Sequence, residues 1–466
     1  MHHVTDRLSD LLHRYRQEHL LRFVDQLTAE ERGKLESQIG RVDFDQLARL
    51  VAGDDKQIDW HQLARRAEPP SAIRIDQAGA SDRNAAARLA GESALRSGQV
   101  AVLLVAGGQG TRLGFDLPKG IFPIGPVSGR TLFQMQCDRL SALGKRYGSD
   151  IPLYIMTSPA TDAETRDYFA HEDRCGLKQD RLRFFCQGQM PAVDAVTGQV
   201  LLAGKGELAL SPDGHGGIVH ALAKSGCLKE AMDRGITHFF YAQIDNPLAE
   251  LCDPVLIGHH LLAESQMTTQ VVKKRFATEK VGNVVSVDGQ IQIIEYSDLP
   301  EEVAQKRNQS GDLNLWAGNI AIHLFEAAFL KGVTEDAAGL PFHRARKKVP
   351  YINADGQRVD PVEPNAIKFE RFVFDLLPIA RRALVIEGAA EDVFAPVKNA
   401  DGSEVDTPQA AKAAILNLHA RWLKQAGARL DSGVRVEIHP NWALDAEEVR
   451  EKTESGTHFS TDTLLM

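Results

Sequence analysis

With 466 residues, 43% hydrophobic and 25% charged, the chain has the composition of an ordinary globular protein, long enough to bury a large core and to hold more than one domain. Its net charge of -9 argues against general nucleic-acid binding, which needs a basic face to neutralise backbone phosphates. No apolar run approaches about 18 residues, the length of a membrane helix, and the first residues lack the apolar core of a signal peptide. Five scattered cysteines without C-x-x-C spacing indicate neither a zinc site nor a disulfide framework. A cytoplasmic protein with buried thiols is expected.

Residues 1–96 read as a helical segment. Leu8, Leu11, Leu12 and Tyr15 recur at helical spacing, as do Leu20, Leu21, Val24 and Leu27. Thr28-Ala-Glu-Glu31 has the form of a capping box and marks a fresh helix start. The segment carries no evident chemistry and is expected to pack as a cap on the catalytic core.

Residues 97–387 alternate strands with helices. Val100–Val105, Leu153–Met156, Arg183–Cys186, His238–Tyr241 and Thr269–Val272 read as strands, each with a loop and a helical pattern beyond. Such alternation predicts an α/β core with a mostly parallel sheet, whose ligands bind outside the carboxyl ends of the strands. Residues 388–466 hold a helical stretch around Ala410–Gln425 and the strand-like Val434–Ile438, expected to form a small C-terminal domain hinged on the core.

The most informative segment comes directly after the first of these strands: Gly107-Gly-Gln-Gly-Thr-Arg-Leu-Gly114, then Pro118-Lys119. Its early glycines let the backbone approach a ligand and aim N–H groups at phosphate, with Arg112 and Lys119 supplying charge. A Walker loop would end in Gly-Lys-Ser/Thr, and a dinucleotide fingerprint would place glycine where Leu113 stands, so neither standard phosphate loop fits.

Other strand ends carry polar groups as well. Gln187 offers a donor and an acceptor to a base edge. Gly214, Gly216 and Gly217 flank His215 in a loop able to lie against a planar ligand. Asp245, immediately beyond the strand at 238, is the natural Mg²⁺ candidate, since that ion takes one or two carboxylates plus phosphate oxygens; an N-cap for the next helix is the alternative. Glu295 and Asn319 offer hydrogen bonds to sugar hydroxyls or an amide. Lys368, Arg371 and Lys398, set among Phe369, Phe372, Phe374 and Phe394, concentrate positive charge locally in an acidic protein.

Taken in order, Gly107–Lys119, Met156-Thr-Ser, Cys186-Gln-Gly, Pro212-Asp-Gly-His-Gly-Gly217, Ile244-Asp-Asn, Ile294-Glu-Tyr-Ser297, Ala317-Gly-Asn-Ile320, Lys347-Lys-Val-Pro-Tyr351, Phe372-Val-Phe-Asp375 and Lys398-Asn-Ala-Asp401 resemble the eukaryotic-type UDP-N-acetylhexosamine pyrophosphorylases, within the wider UDP-sugar pyrophosphorylase family. The resemblance runs from about residue 20 to about 440. It implies a Rossmann-like nucleotidyltransferase core that joins UTP to a hexosamine 1-phosphate and releases pyrophosphate, with Mg²⁺ as cofactor; a monomer or weak homodimer is the expected working form.

Residue by residue, the resemblance implies that Ala106, Gly107, Gly108, Arg112 and Lys119 hold the triphosphate, and that Gln187 and Gly214 contact uracil. Asp245 would bind Mg²⁺, and Gly282, Glu295 and Asn319 the hexose, with Phe372 and Phe374 near the N-acetyl group. Lys368 and Lys398 would bind phosphate, Lys398 from beyond the hinge, which makes closure over substrate an expectation. His215 departs from the pattern: the N-acetylhexosamine enzymes carry asparagine there, while UDP-glucose and broad-specificity UDP-sugar enzymes carry histidine. Ala317-Gly-Asn319-Ile320 and Phe372-Val-Phe374 follow the N-acetylhexosamine pattern. The rival expectations are therefore a UDP-glucose or general UDP-sugar pyrophosphorylase, and a non-catalytic UDP-sugar sensor.

Overall fold

The computed structural model describes residues 2–53, 59–75, 77, 79–336 and 339–466. The chain gathers into two compact units, one made of Met1–Asp59, Gln187–Ile218 and Ala337–Asp375, the other of Trp60–Cys186, Val219–Asp336 and Leu376–Met466. This grouping differs from the division at 96 and 387 expected from the alternation of helical and strand patterns.

The larger unit is built on a nine-stranded sheet. Its strands are β1 (Val100–Val105), β2 (Leu153–Thr157), β3 (Leu182–Cys186), β4 (His238–Gln243), β5 (Met267–Lys273), β6 (Asn283–Val287), β7 (Gln290–Ile294), β8 (Ala317–Glu326) and β9 (Ala383–Glu387). The spatial order is β7-β6-β8-β4-β1-β2-β3, with β5 joined to β8 and β9. β4, β1, β2 and β3 run parallel, as do β5 and β9. The α/β core with its mainly parallel centre is as expected. The near-continuous apolar runs of β1 and β2 are explained by burial along almost their whole lengths, the condition of a central parallel strand.

The sequence pattern missed the antiparallel flank. Beyond β5 the expected helix is absent, and β6 and β7 form a hairpin closed by Asp288 and Gly289 at φ +51° and +82°. Asp-Gly between alternating apolar residues is a strong signal for that two-residue turn. β8 reverses against both β4 and β5, and its pairing with β5 slips between Gln270 and Val271, leaving Ile320 and Ala321 as a bulge with Ala321 at φ +57°.

Helices α1 (Ala80–Arg96), α2 (Leu132–Tyr147), α3 (Asp162–His171), α4 (Pro254–Leu262) and α5 (Pro408–Gln425) complete the larger unit's main elements. α1 and α4 pack backbone to backbone: a Cβ on Gly91 would lie 1.9 Å from the Pro254 carbonyl oxygen, and one on Gly258 1.6 Å from that of Ala87. α4 is capped by Asp253, whose carboxylate accepts the N–H groups of Val255 and Leu256. Asp245 is therefore not the N-cap of that helix.

The smaller unit lays helical turns from 2–52 over a three-stranded sheet formed by His343–Lys347, Ala366–Glu370 and Val193–Asp194. Leu12, Leu20, Leu35, Ile39, Phe44 and Leu47 share one core with Val193, Val200, Ile367 and Phe369. The capping box at Thr28 and Glu31 is present in both directions. The second helix expected around Leu20–Leu27 is instead a pair of single 3₁₀ turns, Glu18–Leu21 and Val24–Gln26, entered through Arg16 at φ +56°. The cysteines also differ from expectation: Cys137, Cys227 and Cys252 are buried, but Cys175 is half-buried and Cys186 exposed.

Candidate functional site

In the larger unit the glycine-rich segment leaves β1 and folds back on itself. The Ala106 N–H still donates to Met156 O at 2.9 Å, extending the ladder to β2. Thereafter Gly110 N–H donates to Leu117 O at 3.0 Å and Lys119 N–H to Gly108 O at 3.0 Å, so the loop closes with Lys119 facing Gly108. Ser158, just past β2, packs within 3.2 Å of where a Gly107 Cβ would stand and donates its hydroxyl to Gly107 O at 2.7 Å. Among the described residues the N–H groups of Gly107 and Gly108 meet no backbone acceptor, and a Cβ at Gly108 would meet nothing within 4 Å. The result is an accessible pair of donors beside two cations, since Arg112 is exposed and has no ion-pair partner among the described residues.

Asp245 lies just beyond β4, the parallel neighbour of β1. Its Oδ2 is 3.6 Å from Lys119 Nζ. The structure thus brings together two sequence-predicted residues 126 positions apart (245 minus 119) in the chain. The Asp245 carbonyl accepts the N–H of Val397 at 2.8 Å, which places Lys398 next to the same loop.

A third cluster joins Gly282, Glu295 and Asn319. A Cβ on Gly282 would come within 3.1 Å of Glu295 Oε1 and 3.7 Å of Asn319 Cβ, so glycine leaves the room these side chains occupy. Asn319 N–H donates to Gly282 O at 2.8 Å, and Asn319 Oδ1 accepts from Ala321 N–H at 3.1 Å across the bulge in β8. With its oxygen engaged there, Asn319 presents the amide nitrogen as a donor, and Glu295 contributes acceptors. Lys274, beside Gly318 and held under the ordinary lysine range by burial, donates to Asn283 Oδ1 at 2.5 Å.

The smaller unit holds further sequence-predicted residues. Gln187 Nε2 donates to Gly214 O at 2.6 Å, leaving its oxygen as an acceptor. Gly214 sits at φ +84°, and a Cβ there would lie 2.3 Å from Arg371 O, so only glycine fits. His215 packs beside Phe372 and Phe374, with ring centroids 5.4 and 5.5 Å away, and those two rings stack at 5.0 Å. Val373 N–H donates to His215 Nδ1 at 3.2 Å. Burial, with His343 close by, pushes the His215 imidazole down to about 4. It is therefore neutral at pH 7, with Nδ1 accepting and Nε2–H available as a donor. Lys368 lies on the strand Ala366–Glu370, opposite Ala345.

Three residues that the sequence did not single out shape these clusters. Asp213 is buried between Gly188 and Gly217, where Cβ atoms would approach its carboxylate to 2.6 and 2.2 Å; burial raises its carboxyl above the usual range. His343 Nε2 lies 2.7 Å from Asp375 Oδ2 and packs its ring 4.5 Å from that of Phe372. Asn246, 3% exposed, spends both ends of its amide on the chain at 393–395. The Asp-Gly turn signal at 213–214 pointed to the first; the other two have partners too distant in sequence to be inferred.

Residues 43–436 match the family described as UTP--glucose-1-phosphate uridylyltransferase. The chain is 37% identical over 445 residues to UDP-N-acetylhexosamine pyrophosphorylase-like protein 1 of Homo sapiens, covering 92% of this chain and 87% of that protein. It is 38% identical over 369 residues to the UDP-N-acetylglucosamine pyrophosphorylase of Saccharomyces cerevisiae, covering 77% of each. The crystal structure of the uridine diphosphate N-acetylglucosamine pyrophosphorylase from Trypanosoma brucei, in complex with inhibitor, superposes with a TM-score of 0.83 at 27% identity and 98% coverage of both chains.

Proposed function

Because the chain belongs to the UTP--glucose-1-phosphate uridylyltransferase family, we propose that it is a uridylyltransferase forming UDP-N-acetylglucosamine and pyrophosphate from UTP and N-acetylglucosamine 1-phosphate. The observation that carries this reading is the accessible amide pair of Gly107 and Gly108 closed against Lys119, with Asp245 3.6 Å from the lysine. Amides, a cation and one carboxylate at the carboxyl ends of adjacent parallel strands suit a magnesium-bearing triphosphate.

The reaction is in-line attack by a phosphate oxygen of the sugar 1-phosphate on the α-phosphorus of UTP, with pyrophosphate leaving. That oxygen is already anionic at pH 7, so no general base is needed. Positioning and charge neutralisation supply the rate. In this reading Ala106, Gly107, Gly108, Arg112 and Lys119 hold the triphosphate, and Lys368 and Lys398 add positive charge. Gln187 and Gly214 read uracil; Glu295, Asn319 and the backbone at Gly282 hold the hexose. Phe372 and Phe374 provide an apolar wall for the acetyl methyl.

Mg²⁺ fits the donors present. Asp245 is a single carboxylate, and among the described residues no three ligating side chains converge, as suits an ion that draws its other ligands from phosphate and water. Held by Asp245, the ion would neutralise charge developing on the phosphate oxygens.

His215 favours a second reading, a preference for glucose 1-phosphate. A substrate panel decides: with UTP and Mg²⁺, pyrophosphate release should be fastest with N-acetylglucosamine 1-phosphate. A higher kcat/KM for glucose 1-phosphate would transfer the assignment to the second reading, and no turnover with any sugar 1-phosphate would remove both.

A further inference from the structure

We infer that Asn246 is a positioning residue that clasps the segment bearing Lys398 and holds that lysine in register with Asp245. The inference rests on the proposed roles of Lys398 and Asp245. Asn246 is buried, and its side chain is used twice on one stretch of chain: Nδ2 donates to Val393 O at 2.8 Å, and Oδ1 accepts from Ala395 N–H at 3.0 Å. The amide thus grips the backbone on both sides of Phe394, as a neighbouring strand would. Lys398 Nζ lies 5.9 Å from the centre of the Phe394 ring, so the gripped residue is also the one the lysine leans on.

Two further contacts finish the clasp. Val397 N–H donates to Asp245 O at 2.8 Å, one residue before the lysine and one before the asparagine. Beyond it the backbone N–H groups of Lys398 and Asn399 both donate to Asp406 O, at 2.8 and 3.0 Å, and Asn399 Nδ2 donates to Val405 O at 3.0 Å. Asp406 holds φ +59° to close this small loop, a conformation that costs a non-glycine residue energy and persists only where surrounding contacts impose it. Lys398 therefore stands between two fixed points, Asp245 and Asp406. The residue before the lysine is tied by its backbone to the loop that carries the candidate metal carboxylate, and the lysine's own N–H to Asp406.

Asn246 itself need touch no substrate. Its effect on the reaction passes through the placement of the Lys398 ammonium, where a shift of about 1 Å is enough for a loss on the order of 100-fold. None of the clasp's hydrogen bonds reaches the closed loop at 107–119, so binding of UTP should be largely spared.

The test is a double-mutant cycle on the full chain, with Asn246→Ala and Asn246→Asp each made alone and together with Lys398→Ala. Asn246→Asp keeps the volume and the acceptor for Ala395 but cannot donate to Val393, and it carries the test if the alanine variant does not fold. Expected are a fall in kcat of roughly 10- to 100-fold for either single variant, KM for UTP within about threefold of the parent, and less than about threefold further loss once Lys398 is already alanine. In the unliganded protein, hydrogen exchange at the Ala395 and Val397 amides should quicken about tenfold or more. Equal fold-losses with and without Lys398 would overturn the inference and leave Asn246 a structural residue, and so would unchanged exchange. Near-parental kcat for Lys398→Ala alone would instead remove the catalytic assignment of Lys398, and this inference with it.

Discussion

Lys119 Nζ stands 3.6 Å from Asp245 Oδ2, the two side chains rising from loops that leave the neighbouring parallel strands β1 and β4. Each is largely hidden from water, at 17% and 14% exposure, so charge placed between them is poorly screened. Lys119→Ala should lower kcat by roughly 100- to 1000-fold with the melting temperature little changed, the scale of losing one preorganised charge contact at a reacting phosphate. Asp245→Asn should do the same and shift the Mg²⁺ dependence of the rate to higher concentration. Pyrophosphate release over a magnesium titration measures both, and near-normal turnover in Lys119→Ala would take the loop out of the mechanism.

Two glycines separate binding from folding. At Gly108 a Cβ would meet nothing within 4 Å, whereas at Gly217 it would lie 2.2 Å from Asp213 Oδ1. Gly108→Ala should therefore melt like the parent while raising KM for UTP, because the added methyl stands where phosphate must approach the amides. Gly217→Ala should lose about 1 to 3 kcal/mol of stability by overpacking a carboxylate that has nowhere to go. Thermal melts and KM values for the pair give the check; a Gly108 variant with parental stability and unaltered KM would contradict the assigned cradle.

His215→Asn tests sugar choice. Either side chain can donate an N–H, but the imidazole packs beside the stacked rings of Phe372 and Phe374 and is fixed by Val373 N–H, and the shorter amide leaves space beside the two rings. The ratio of kcat/KM for N-acetylglucosamine 1-phosphate to that for glucose 1-phosphate should rise by roughly two- to tenfold, the worth of burying about one methyl-sized group. A fall in that ratio would count against His215 as a determinant of the sugar.

The same histidine makes a prediction about acid. Its pKa is depressed in the folded chain to about 4, against an ordinary value of 6.5, so the unfolded chain binds the proton more readily. Stability contributed by the neutral imidazole is fully present above pH 6.5 and drains away as pH falls toward 4. His238 and His419, likewise driven to about 4 by burial, add to the loss. Denaturation at stepped pH should show His215→Asn losing stability less steeply than the parent in this window, by at most about 1.4 kcal/mol per pH unit. Parallel slopes would mean that the imidazole is not titrating on unfolding.

Parts of this molecule were legible because their signals are local. β1 runs over the residues its apolar run marks, and the Thr28 capping box needs only four consecutive positions. The closed loop at 107–119 is likewise a matter of neighbours. The hairpin at Asp288-Gly289 carried an equally local signal, outweighed by the alternation before it. What could not be read depends on distance along the chain: Asn246 meets Val393 and Ala395 across 147 and 149 residues. The bulge at Ile320 and Ala321 is fixed by a register slip against β5 that no spacing within β8 announces. Residue types named the chemistry of the candidate site, whereas its supports are tertiary.

The smaller unit takes its residues from three separate stretches, the last ending at Asp375. During synthesis its opening helices must wait for a strand that emerges more than three hundred residues later, roughly 15 to 65 seconds at about 5–20 residues per second. Throughout that interval Leu12, Leu35, Ile39 and Phe44 have no Ile367 or Phe369 to cover them. Splitting such a chain at any one peptide bond cannot release either unit whole.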